Sequence, residues 1–125
     1  MTEKKRPPYD LEERTYQFAL RVRLYLKNGE WQPVGWSDVR QLLRSSGSVA
    51  ANYVESQEAV GDGDFVYRIR VSRKETRESA LWLRLLQDTH SLEDSALAEH
   101  TALLGEADEL VRIFTAIIRK KEPAT

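Results

Sequence analysis

The chain contains no cysteine. A disulfide framework, a thiolate metal site and a thiol nucleophile are therefore excluded, together with thiol redox chemistry by the protein itself. No segment approaches the roughly 20 apolar residues of a membrane span, and the charged start MTEKKRPPYD leads into no apolar run of the secretory kind. These absences predict a cytoplasmic protein with no membrane association. An excess of one charge is missing too, with 19 basic residues against 20 acidic and a net charge of −1, so any nucleic-acid binding has to come from uneven distribution. Only six glycines and four prolines occur, most of them near the ends or in two short clusters, which is how an all-helical chain is punctuated.

What remains, 125 residues, suffices for one domain with a core that needs no staples. Residues 1–9 read as a tail, because Pro7 and Pro8 lack amide hydrogens and the charges of Lys4, Lys5 and Arg6 cannot pack. The bundle domain is expected over 10–121, followed by a short tail over 122–125. Asp10 suits a helix N-cap, with Glu12 and Glu13 in the first turn. Leu11, Thr15, Phe18, Val22, Tyr25 and Leu26 then share one face of a first helix that Asn28-Gly29 stops. In the loop that follows, Trp31 and Trp36 suit either a cap over the open end of the core or a stacking platform for a base or peptide.

Ser37 is the expected N-cap of a second helix with an inward stripe of Val39, Leu42, Leu43, Ser46, Val49, Ala50 and Tyr53. Gly47 inside it costs about 1 kcal/mol relative to alanine, so close approach of a neighbouring backbone is expected there. Arg44, Ser48, Ala51, Asn52 and Glu55 fall opposite the stripe within about 100° of arc. Small residues between single long polar ones suit either a solvated face or an oligomer interface, with Arg44 and Glu55 as partners across the contact. Asp64 is the expected N-cap of a third helix running to about Thr89, with Phe65, Ile69, Ser72, Thr76, Ser79, Leu83 and Leu86 inward and its small polar middle facing that of helix two. On its far side Arg70, Arg73, Lys74, Arg77 and Arg84 gather within about 100° of arc. They suit a solvated face, partly neutralised by Glu75 and Glu78, or the reach of a few phosphates. Residues 89–106 read as a connector holding both histidines, ahead of a fourth helix with Leu103, Ala107, Leu110, Val111, Phe114, Ile117 and Ile118 inward.

The whole predicts an all-α protein, an antiparallel up-and-down four-helix bundle. Such bundles can carry di-metal carboxylate sites, but no Glu-x-x-His motif is present. His90 and His100 have no zinc-ligand spacing and are expected to be exposed. No nucleophile elbow or phosphate-binding glycine loop occurs, so the expectation is a protein that is not an enzyme and uses no cofactor or metal.

The run RSSGSVAANYVESQEA from Arg44, then DFVYRIRVSRKETRESALWLRLL from Asp64, resembles a bacterial four-helix-bundle family named for proteins encoded within intervening sequences of 23S rRNA genes. The residues that carry the resemblance are Arg44, Ser45 or Ser46, Ser48, Asn52 and Glu55, then Lys74, Glu75, Glu78, Trp82 and Leu83. The resemblance implies a self-associating bundle with a homopentamer as its leading form. It is also similar in architecture to the basic accessory protein of diversity-generating retroelements, which implies RNA or DNA at Arg70, Arg73, Lys74, Arg77 and Arg84. Two departures stand out, the aromatic Trp31/Trp36 loop and the slightly acidic net charge. Two functional expectations follow: an RNA-associated or scaffold protein acting through helix three, or a protein–protein module that holds a partner by helix two and the tryptophan loop.

Overall fold

Asp10 caps the first helix weakly, its Oδ1 accepting from the Glu13 amide at 3.5 Å. From there the computed structural model, which describes residues 10–122, is helical throughout its length apart from short joints. Helix α1 spans Leu11–Lys27, α2 Trp36–Gln57, α3 Gly61–Thr89 and α4 Asp94–Lys121, with one 3-10 turn at Pro33–Gly35. The expected tail over 1–9, with Lys4, Lys5 and Arg6, lies outside the described residues, as do residues 123–125. Each helix packs beside the next and α4 returns to α1. Cross-links run in opposite senses along every neighbouring pair: Arg23 to Ser46, Asn52 to Arg68, Thr115 to Arg73, and Arg14 to Glu106 with Arg21 to Glu99. The fold is the antiparallel up-and-down four-helix bundle that the sequence predicts.

The inward stripe of α1 is buried as expected, and so are Leu103, Ala107, Leu110, Phe114 and Ile118 of α4. Phe18 and Phe114 are the largest wholly buried side chains. Between α2 and α3 the core is of another kind. Ser45, Ser46, Ser72, Thr76 and Ser79 are fully buried, Ser45 and Ser79 share a hydrogen bond of 2.8 Å, and Ser72 Oγ donates to the Val49 carbonyl at 3.0 Å. Small hydroxyls let two helices approach closely, and their own polar groups are satisfied within the seam.

That seam turns α2 away from its expected orientation. Ser45 and Ser56 are buried while Val39, Leu43, Ala50 and Tyr53 are only half-buried. On α3, Val66 rather than Phe65 enters the core. Gly47 has a different reason from the one expected: a Cβ there would meet the Arg23 guanidinium Nη2 at 2.9 Å, a side chain and not a backbone. Helix starts also differ. Trp36 continues the 3-10 turn into α2 with no side-chain cap, so Ser37 is already helical. Gly61, at φ +82°, opens α3 three residues before Asp64, whose carboxylate reaches back to accept from the Val60 amide at 3.1 Å. Helix α4 begins at Asp94 and runs through Gly105 without interruption, so most of the expected connector is helix.

Candidate functional site

Helix α3 turns one long side outward. Along it Tyr67, Arg70, Lys74, Arg77, Leu81 and Arg84 recur at steps of three and four residues, and all are exposed. Arg70 is paired with Glu122, and Arg73, half-buried, donates to Thr115 Oγ1 at 3.1 Å. Lys74, Arg77 and Arg84 make no hydrogen bond or ion pair among the described residues. Elsewhere most arginines are engaged. Arg14 holds Glu106 at 2.7 Å and Glu109 at 2.9 Å, and the hydrogen bond it donates to Glu106 is the main reason its guanidinium titrates above the ordinary arginine range. Arg21 holds Glu99, Arg23 donates to the Ala19 and Leu43 carbonyls, and Arg68 donates to Asn52 while its guanidinium lies 5.5 Å from the Tyr67 ring centre.

The five residues expected as one oligomer face on α2 are divided. Arg44 faces α3 and forms ion pairs within its own chain, to Glu75 at 3.2 Å and Glu78 at 2.9 Å. Glu75 is buried, contrary to its expected place on the wet side, and its Oε1 meets Arg44 as a charge without hydrogen-bond geometry. Asn52 also turns to α3, bonding Arg68 and the carbonyl and hydroxyl of Ser48. Ala51 lies instead in a shallow groove between α1 and α2, lined by Glu12, Glu13, Tyr16, Ala50, Ala51 and Val54. Glu55 is exposed.

A third region lies at the end of the bundle that the tryptophan loop covers, and the part His90 plays in it has no counterpart in the sequence pattern. An open cleft of about 850 Å³ there involves Arg21, Tyr25, Trp31, His90, Glu93 and Glu99. Trp31 packs on the core, donates its indole N–H to the Leu26 carbonyl at 3.0 Å, and meets Tyr25 and His90 ring to ring at 5.6 and 5.2 Å. His90 Nε2 accepts the Gln32 amide at 3.1 Å, so its proton sits on Nδ1, toward the Leu86 carbonyl and Thr89 hydroxyl. Trp31 is thus a cap, and exposed Trp36 braces it by donating to its carbonyl.

His100 is not exposed as expected but fully buried on α4, 2.7 Å from the Tyr25 hydroxyl through Nδ1. Burial pushes its pKa down, against the opposing pull of Asp88 and the Leu83 carbonyl. Burial, aided by the Glu99 charge, pushes the Tyr25 phenol up to about 12, so the hydroxyl stays protonated and shares one hydrogen bond with Nδ1. Nε2 is buried with no partner in hydrogen-bond geometry.

Residues 11–116 match the profile of the 23S rRNA-intervening sequence proteins. The chain belongs to the 23S rRNA-intervening sequence protein family. A solved structure of the same shape is a protein of unknown function from the S23 ribosomal protein family of Bacteroides thetaiotaomicron, with a TM-score of 0.72 and 24% identity over 86% of this chain and 97% of that one. At that identity the likeness shows the fold alone. No curated protein matches the chain.

For this member of the intervening-sequence family, the described residues hold no group of three or more His, Cys, Asp and Glu side chains able to take a metal. No helix among the described residues is long and apolar enough to cross a membrane. A signal for His100 was present, since it extends the stripe Leu103, Ala107, Leu110 and Phe114 back by one turn. Nothing comparable marks His90, whose partner Gln32 lies 58 residues away in sequence.

Proposed function

We propose that this protein is a non-enzymatic bundle that associates with RNA along the exposed line of α3. The observation that carries this reading is the alignment of cations: Lys74, Arg77 and Arg84 stay exposed without partners among the described residues along one side of one helix, whereas Arg14, Arg21 and Arg44 are held by carboxylates and the other exposed arginines without partners, Arg40 and Arg119, lie on α2 and α4. Arginine forks and a lysine on one straight helix meet successive phosphates without needing an overall basic protein. The family's name places its members within 23S rRNA genes, which makes RNA the first nucleic acid to test. In a titration of RNA affinity against salt, the slope should fall by about two to three when Lys74, Arg77 and Arg84 together become glutamine. Binding that ignores salt, or that survives the triple change unaltered, would refute the reading.

The α1–α2 groove favours a second reading, a self-associating module that holds another copy there. Tyr16 and Val54 are about half exposed beside Ala51, an apolar surface edged by Glu12 and Glu13. A homopentamer is the form that the family resemblance implies. Light scattering should then show a closed oligomer that Ala51→Arg reduces to smaller species, and absorbance at 260 and 280 nm across the same peak reports co-purified RNA. A monomer before and after the change would remove this reading.

A further inference from the structure

We infer that the nucleic acid taken by α3 is single-stranded, and this rests on the reading of α3 as an RNA-binding surface. The line of cations is interleaved with apolar side chains. Tyr67 is 57% exposed at one end and Leu81 is 47% exposed beyond Arg77, with Leu85 at 38% beside it. From Tyr67 to Leu81 is about 21 Å along the helix. A duplex offers such a surface phosphates, sugars and base edges in the shallow minor groove but no base face to stack on, because its bases are stacked inside. Against a duplex, Tyr67 and Leu81 would stay wet and idle. A single strand offers a base face with each phosphate, so cations and apolar groups in alternation both find partners.

Tyr67 is also braced for this. Arg68 lies over its ring at 5.5 Å and is itself tied to Asn52 Oδ1 at 3.0 Å, while more than half of the tyrosine remains open to solvent. A ring already held in place loses little freedom when a base stacks on it.

The test compares a fluorescein-labelled oligouridine with a blunt RNA duplex of the same length, by anisotropy at low salt. The single strand is expected to bind at least about ten-fold tighter. Tyr67→Ala with Leu81→Ser should weaken the single strand by about 5- to 100-fold and leave the duplex unchanged. Both positions are exposed, so folding is not at stake, and Tyr67→Trp should keep the preference and report stacking on unlabelled RNA as fluorescence quenching beyond that of the three native tryptophans. Changing Lys74 and Arg77 to glutamine should weaken both probes. Equal or tighter duplex binding, or a Tyr67/Leu81 variant that behaves as wild type while the cation variant is impaired, overturns the single-strand inference and leaves RNA binding standing. If neither probe binds, both fall.

Discussion

His100 ties folding to pH. Its pKa is lowered by burial below the ordinary imidazole value, so the folded chain resists a proton that the unfolded chain accepts below about pH 6.5. Its contribution is complete above that value and is lost as pH falls toward the folded value. Urea midpoints should therefore drop between about pH 7.5 and 5.5, and His100→Gln should flatten that decline while costing stability at every pH. An unchanged slope in the variant would exclude His100 as the source. Gly105 offers the opposite case, a residue whose replacement should help. It lies inside α4 with nothing within 4 Å of a would-be Cβ, so Gly105→Ala should stabilise the protein by about 1 kcal/mol in chemical denaturation. The sequence made Gly105 look like a break because propensity is local; 28 residues of amphipathic helix packed on a core override one glycine.

At the scale of elements, helix periodicity carried most of the fold, and it failed where side chains are small. The stripes of α1 and α4 are built mostly from large apolar residues and stand where the pattern puts them, apart from the half-buried Val111 and Ile117. The stripe of α2 is rotated because serines at 45 and 56 are buried for their size and hydrogen bonds, which a hydrophobicity pattern cannot see. That rotation also divides the expected face, taking Arg44 and Asn52 to α3 and leaving Ala51 in the groove beside α1. The seam predicts an asymmetry between two changes at one position. Ser79→Ala removes a hydroxyl whose partner Ser45 keeps a long contact to the Leu42 carbonyl, and should cost about 1 kcal/mol. Ser79→Leu must force the two helices apart and should cost more, about 1–3 kcal/mol, with loss of cooperativity in thermal unfolding. Equal costs would mean that the close approach of α2 and α3 is not what the serines serve.

Across the whole molecule, architecture was legible because four long amphipathic segments with short joints have few ways to bury their stripes, whereas the exposed sides carry no comparable constraint. Which cations are free and which are tied depends on carboxylates far away in sequence, such as Glu106 for Arg14, and no local pattern reports that. The same long-range pairs leave the bundle unevenly fastened. The backbones of α2 and α3 approach each other most closely, with α3 and α4 next, while α1 and α4 stand furthest apart of the four neighbouring pairs. That last contact relies on the buried Tyr25–His100 hydrogen bond and on the Arg14 and Arg21 ion pairs, part-exposed links that salt weakens. With α1 also the shortest helix, at 17 residues, its release as a unit is the cheapest large opening available. Native-state hydrogen exchange should find the amides of α1 opening together at lower free energy than those of α3 around Ser72–Leu83. The gap should widen at about 1 M salt and in Arg21→Gln, since each weakens the α1–α4 contact and leaves the hydroxyl seam of α2 and α3 untouched. Uniform protection across all four helices would show instead that the bundle opens only as a whole, and that the ion pairs along α1 add nothing to its hold.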